Sequence, residues 1–426
     1  MENQGEYRNR DRRIPYRADG KFVGFGPDIA ATFNVEPARL IQAMREFSEE
    51  QEPDLAEPAG EVPASQERRQ VRIERHGMLH NVNGRLNACG YMNEPLLRYD
   101  RSRVKVGRLR IKEWNRYLIS DDEYALWLTV ANFGYLGAVS ARVTNLVHPS
   151  SRTVSILLPM PGRRLSLPPS CLGGQIAFKN HRGRFICQGS EEGFRIMANY
   201  DEFLDGETLA VDALLDCRPP ELFANVSQWP EDPRTFHYQL AIPMMRASGS
   251  FKVGSRVHGF SPTRSFGLYG WNRAVLPYET QRIWAVAQGW QDGQGGTACD
   301  THLAGLLLAD GQDNRAATPN AFFLDGKIYK LGDISFDIPN GADREGGKTL
   351  ADRYHFLHAW RIGDSKGQVS LTFVPVTEGI DYQNAAAIFF ESHQVFGAFS
   401  GTVRIEGREF FVNQLPGCAA IEHLRG

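Results

Sequence analysis

The chain reads as a mainly β protein, with two antiparallel units in tandem behind an N-terminal extension. Three observations predict this. After residue 70 the sequence falls into short segments in which apolar and polar residues alternate, the period of a strand with one buried face. The 42 glycines and 23 prolines suit many turns rather than long helices. No helical periodicity longer than about twelve residues appears in that region.

The extension covers residues 1–70. Between Glu46 and Glu67 lie eight acidic residues and no Lys or Arg, interleaved with Pro53, Pro58 and Pro63. Such a stretch buries too little apolar surface to offset its ordering entropy and reads as a solvated, partly disordered linker. Ahead of it, Asn34 can cap a short helix with Pro37 in its first turn, placing Leu40, Ile41, Met44 and Phe47 on one face. The alternation then predicts strands at 124–130, 153–158, 184–187, 195–198 and 208–215. It resumes at 281–288, 301–308, 321–324, 368–374, 397–405 and 409–412. The polar turn at 247–250 (ASGS) divides the two runs, giving units at 71–247 and 248–426. Sheets of this size hide their edges by closing into barrels or packing as sandwiches.

Composition narrows the function. At 426 residues the chain is long enough for two or three domains, and its 42% hydrophobic content excludes wholesale disorder. A net charge of −2 lacks the electrostatic footprint of a nucleic-acid binder. No apolar run is long enough for a membrane span. The N-terminus carries no apolar signal core, so a cytoplasmic protein is expected. Cys89, Cys171, Cys187, Cys217, Cys299 and Cys418 form no C-x-x-C pair, so reduced, mostly buried thiols are expected rather than a zinc site or disulfides.

Several motifs resolve to structure rather than chemistry. Residues 342–349 (ADREGGKT) approach a phosphate loop, but Ala342 replaces the first glycine, and Asp343 and Glu345 would face the phosphates. A solvated hairpin loop is expected. His76 with His80, and His355 with His358, have helical spacing but no third ligand, so no metal is expected. The acceptor triplet Asn225-Val-Ser227 has no meaning without secretion. Residues 293–296 (GQGG) lack the spacing and following helix of a dinucleotide site, and no cofactor is expected.

The informative stretch is 265–278 (SFGLYGWNRAVLPY), followed by Trp284. Two Trp, two Tyr and an Arg in a Gly-rich, Pro-broken segment suit either a pocket for an apolar ligand or a turn whose aromatics fill a barrel mouth. Arg273 could stack on an aromatic face or fork onto a carboxylate.

This stretch, with 107–117 (GRLRIKEWNRY), 129–135 (TVANFGY), 320–331 (NAFFLDGKIYKL) and 395–401 (VFGAFSG), resembles the microbial family of domain of unknown function 2804. The resemblance runs from about residue 75 to the C-terminus. That family is distantly similar to tandem lipocalin-like proteins: carotenoid hydratases, tocopherol cyclase and lipocalin-like Diels–Alderases. The resemblance therefore implies two lipocalin-like β-barrels and redox-neutral chemistry on apolar substrates. Three positions depart from the family pattern. Gly270 stands where an acidic residue is common, Pro319 where Glu is common, and Tyr329 where His is usual.

The functional expectation is a cofactor-independent cyclase or isomerase of an apolar small molecule. Trp271 and Trp284 would wall the site, Tyr329 and Lys330 would bind substrate, and Arg273, Tyr278 and Asn320 would polarise a carbonyl. A hydratase or dehydratase would instead use Glu279, His258 or Tyr329 as acid or base. A carrier of a hydrophobic ligand is the third expectation.

Overall fold

In the computed structural model the described residues are 8–9, 12–13 and 70–425, except 217–220, 230, 293–300, 311–315, 342–346 and 386–387. The acidic stretch, the helix expected near 34–47, Cys217, Cys299 and residues 293–296 lie outside the described residues. So does most of 342–349; its last residue, Thr349, caps a single helical turn, Leu350–Arg353, through a reciprocal bond with Asp352.

From residue 70 onward two curled antiparallel sheets dominate, beside a small parallel pair of Gly77–Met78 and Leu97–Arg98. The larger runs Gly174–Asn180, Gly183–Gly189, Phe194–Leu204, Glu207–Asp216, Phe236–Val253, Phe266–Val275, Ile111–Ser120, Tyr124–Asn132, Leu136–Asn145 and Ser150–Pro159. Of these ten strands the first in sequence thus pairs with the last, in a register that sets Gly270 opposite Arg116 and Trp271 opposite Asn115; Gly90–Met92, Phe223–Ser227 and Arg256–Phe260 join the sheet off this path. The path ends at Ser150–Pro159 and Gly174–Asn180, which share no ladder. Side chains close this seam. A Cβ at Gly183 would stand 3.2 Å from Ile156, and the Tyr200 hydroxyl donates across to the Ser140 carbonyl.

The smaller sheet repeats the plan. Its order is Lys327–Lys330, Ala321–Leu324, Thr301–Asp310, Glu279–Asp292, Arg408–Arg425, Ile388–Ile405, Val369–Ala385, Trp360–Gly363 and Ser335–Asp337. Again the first strand in sequence lies against the last. Again the open seam follows the fourth strand. The sheets change over at 276–278, so the boundary expected at 247/248 falls inside the strand Phe236–Val253. Every strand expected from alternation is present, and the one α-helix among the described residues is four residues long, beside three single turns of 3-10 helix.

Strands of 18 residues, such as Phe236–Val253 and Ile388–Ile405, must bend to stay in a curled sheet. Glycines permit it: a Cβ at Gly249 would sit 2.2 Å from the Asp212 carbonyl, and one at Gly401 2.1 Å from that of Ser370. Register also shifts between Ile242 and Met245, where Met244 takes φ 59°. Its N–H leaves the ladder and donates instead to Gln288 of the second sheet at 2.8 Å.

Each sheet encloses its own core. Tyr117, Phe185, Phe194 and Tyr269 stack inside the first; Leu306, Phe322, Trp360, Phe373 and Phe399 fill the second. A third layer lies between the sheets, formed by Leu118, Trp127, Leu268, Val286, Phe396 and Cys418. Strands contributing to it are apolar on both faces, as in a doubly covered sheet. No described helix is long and apolar enough to cross a membrane.

Candidate functional site

The between-sheet layer opens into a cavity of about 160 Å³. Alternation along Ile111–Ser120 sends Tyr117 and Ile119 into the first core and turns Trp114, Arg116 and Leu118 toward the second sheet. Trp114, Trp127, Trp284 and Phe390 line the cavity with Arg116, Arg142 and Arg282. Trp127 stacks on Trp284 with ring centres 5.6 Å apart. The Arg116 guanidinium lies over Trp284 and that of Arg282 over Trp114, both at 5.4 Å.

Both arginines converge on one carboxylate. Arg116 Nη2 donates to Glu422 Oε1 and Arg282 Nε to Glu422 Oε2, each at 2.7 Å. Burial alone would raise the Glu422 pKa, but the two guanidinium groups prevail and hold it at about 2. Behind Trp114, and stacked on it, His237 is pushed down to about 3, first by burial and then by Arg282. It stays neutral, and its Nε2 lies 2.9 Å from Asn272 Oδ1. Arg142 reaches from the first sheet into the second, donating to Gln394 Oε1 at 2.6 Å and the Gly379 carbonyl at 3.2 Å, and pairing with Asp381 at 2.7 Å. Three guanidinium groups therefore meet two carboxylates on this wall.

The motif residues Trp271 and Arg273 point the other way, into the first barrel. Arg273 is 0% exposed. It donates to Asn115 Oδ1 at 3.0 Å and to the carbonyls of Asn272 and Pro168, both at 2.7 Å. Its guanidinium lies 4.3 Å from the Trp271 ring and 3.8 Å from Glu113, which also accepts from the Tyr99 hydroxyl and pairs with Arg101. Arg273 Nε and Trp271 Nε1 are nonetheless buried without a hydrogen-bond partner.

The remaining residues singled out from sequence disperse. Trp284 alone lines the between-sheet cavity. Tyr278 is exposed, and Glu279 is bonded at the surface to His423. His258 sits 2.7 Å from Asp121 on the first barrel. Asn320 is buried in the second sheet's turn region, its amide satisfied by the Ala309 N–H and the Gly332 carbonyl. Lys330 joins it, donating to Thr318 Oγ1 and the carbonyls of Asn320 and Leu331, and burial lowers its pKa to about 7. Tyr329 packs on the second core. Structure thus brings together Trp271 with Arg273, and Asn320 with Lys330, but does not join the two pairs. His80 is buried edge-on to Phe236, while His355 stacks on His358 in a turn, so neither pair shares a helix face.

Sequence reasoning missed Arg116, Arg282 and Glu422. A signal for the first existed in 107–117, where Trp114 and Arg116 share one face of a strand. It also missed a cluster inside the second barrel. His393 Nδ1 lies 2.5 Å from Glu378 and Nε2 2.9 Å from Glu391, with Phe356 stacked at 4.2 Å. Burial lowers the His393 pKa, but the hydrogen bonds that the imidazole donates to both carboxylates outweigh it and raise the imidazole to about 9.

Among solved structures, a protein described as an AttH from Nitrosomonas europaea is 12% identical with a TM-score of 0.42, covering 74% of this chain and 92% of that one. Kievitone hydratase from Nectria haematococca is 13% identical with a TM-score of 0.40, covering 74% and 88%. Likenesses this weak transfer neither fold nor function. No curated protein sequence matches. A family model does match, over residues 70–425, which spans both sheets and the whole cavity between them; the chain belongs to the family of domain of unknown function 2804.

Proposed function

We propose that the protein is a cofactor-independent cyclase or isomerase that folds an apolar small molecule in the cavity between its sheets. One observation carries this reading: three tryptophans wall a cavity in which two arginines share a single ionised carboxylate. Aromatic walls with a few convergent polar groups suit an apolar ligand. Confinement brings the reacting ends of one molecule together, replacing an improbable encounter with a first-order step. Arg116 and Arg282 are placed to stabilise negative charge developing on a substrate oxygen, without reorganising as the charge forms.

The proton inventory favours this over a hydratase. Glu422, held near 2 by two guanidinium groups, is ionised and a poor proton donor at neutral pH. Glu279, His258 and Tyr329 do not line the cavity. The test is metabolite profiling of the source organism with and without the gene, followed by incubation of the purified protein with the accumulated compound. An isomer of the lost product, at identical mass, is expected, and Ala138→Trp, which fills the cavity from its wall, should abolish its conversion. A precursor differing by one water would point to the hydratase. Changes in level without change of identity would point to a carrier.

A further inference from the structure

Four turns gather at one end of the first sheet. Ladder pairing puts them there: Ile111 lies opposite Val275, Asn132 opposite Gly137, and Leu136 opposite Pro159. The 3-10 turn Arg108–Arg110 leads into the strand Ile111–Ser120, and 133–135 joins the next two strands. Residues 160–164 leave the strand Ser150–Pro159, and 276–278 cross to the second sheet. Three of these turns pack on one another. A Cβ at Gly134 would stand 2.7 Å from Leu109 Cα, and the Met160 N–H donates to the Tyr135 carbonyl at 2.9 Å.

This end exposes apolar and cationic tips together. Leu109 is 48% exposed and Met160 59%, with Tyr278 exposed on the crossover. Arg108, Arg163 and Arg164 are exposed beside them, and the four turns contain no acidic residue. Among the described residues no carboxylate lies on Arg108 or Arg163, while Arg110 is taken up by Asp232 at 3.4 Å. The whole chain has a net charge of −2, so the positive end is a local asymmetry. Met160 also holds φ at 46°, a region that strains a residue bearing a side chain, and Arg164 Nη2 donates to its carbonyl at 3.2 Å. No core packing offsets that strain, since the side chain stands in water. The cavity reaches the surface at the same end: Phe133, Tyr135 and Leu136 line it and are partly exposed, and Leu157 lines it and is exposed.

We infer that this end of the first sheet docks on an anionic lipid bilayer, with Leu109, Met160 and Tyr278 in the boundary between headgroups and acyl chains and Arg108, Arg163 and Arg164 on the phosphates. Aliphatic tips among arginines fit a bilayer better than another polyanion, which would answer the charge and leave Leu109 and Met160 in water. On the proposed reading of the cavity, on which this last point alone rests, an apolar substrate passes from the acyl layer to the tryptophan walls without crossing water.

The test is flotation of the full chain with vesicles of phosphatidylcholine alone and with vesicles in which about a third of the lipid is phosphatidylglycerol. Binding to the anionic vesicles at low salt is expected, with little to the neutral ones, and it should fall as salt rises. Arg108→Gln with Arg163→Gln should weaken it about thirtyfold, the effect of two cations near an anionic surface. Arg361→Gln with Arg408→Gln, exposed on the second sheet, should leave it unchanged. Met160→Asn removes the apolar tip and keeps a residue that accepts positive φ; combined with Leu109→Ser it should weaken binding about tenfold at an unchanged unfolding temperature. No binding to the anionic vesicles, or equal loss with both arginine pairs, overturns the inference. So does binding that follows the arginines but not Leu109 and Met160, which would mark a surface for a polyanion. None of these outcomes touches the cavity reading, which falls instead if conversion survives Ala138→Trp.

Discussion

Two arginine–glutamate–tryptophan clusters lie on opposite faces of the same strands, and they are built to opposite ends. Inside the first barrel Arg273 is surrounded by Asn115, three backbone carbonyls and the Trp271 face, with Glu113 held by Tyr99 and Arg101. Between the sheets Arg116 and Arg282 divide one carboxylate and keep their edges toward a cavity. The first guanidinium is bonded to four protein acceptors, whereas the other two have a single carboxylate between them. The same residue types make a lock in one place and a receptive wall in the other. What separates them is how many acceptors surround each guanidinium.

Replacing the arginines one at a time gives the sharpest break of that comparison. Arg273→Met removes a fully enclosed charge and orphans three carbonyls and Asn115, for an expected loss of about 3–5 kcal/mol in denaturant unfolding. Arg116→Met leaves Glu422 its second arginine beside a solvent-reachable cavity, and should cost about 1–2 kcal/mol. Equal losses would mean that the between-sheet cluster is as sealed as the first.

The pH dependence of stability separates the charged groups further. His393 has its folded pKa raised from 6.5 to about 9, so its contribution is complete below 6.5 and is lost as pH rises through 9. Lys330, lowered from 10.5 to about 7, acts in the opposite sense, adding stability as pH climbs from 7. The difference between wild type and His393→Phe isolates the first effect, and should amount to at most about 3 kcal/mol between pH 6 and 10. Glu422, lowered from 4.5 to about 2, contributes above 4.5 and loses that contribution as pH falls toward 2. Wild type should therefore destabilise across that acid window by up to about 3 kcal/mol more than Glu422→Gln.

A smaller effect tests how firmly the sheets are joined. Arg142 reaches the Gly379 carbonyl only because position 379 has no side chain: a Cβ there would stand 2.6 Å from Arg142 Nη1. Gly379→Ala should cost about 1–3 kcal/mol by overpacking, read from thermal unfolding.

The fold was legible where one face of a strand meets solvent. Strands such as Phe194–Leu204 and Glu207–Asp216 alternate buried and exposed residues, and their period of two appears in the sequence. Ile111–Ser120 is covered on both faces, so Lys112, Glu113, Asn115 and Arg116 sit among apolar neighbours with no alternation to betray a strand. The site shared that fate. Arg273 stood out because it lies in a motif of aromatics, yet its strand turns it inward; Arg116 lay in a motif as well, but only the partner sheet gives it a task.

The sequence by itself determined the class of the fold and the family, because alternation, turns and ordered motifs are local properties of the chain. Tertiary structure alone decided where the cavity lies, since Trp114 and Glu422 are 308 residues apart by number and meet only when the last strand of the second sheet closes against its first. It also decided how many acceptors each guanidinium meets, because packing of distant strands sets that count.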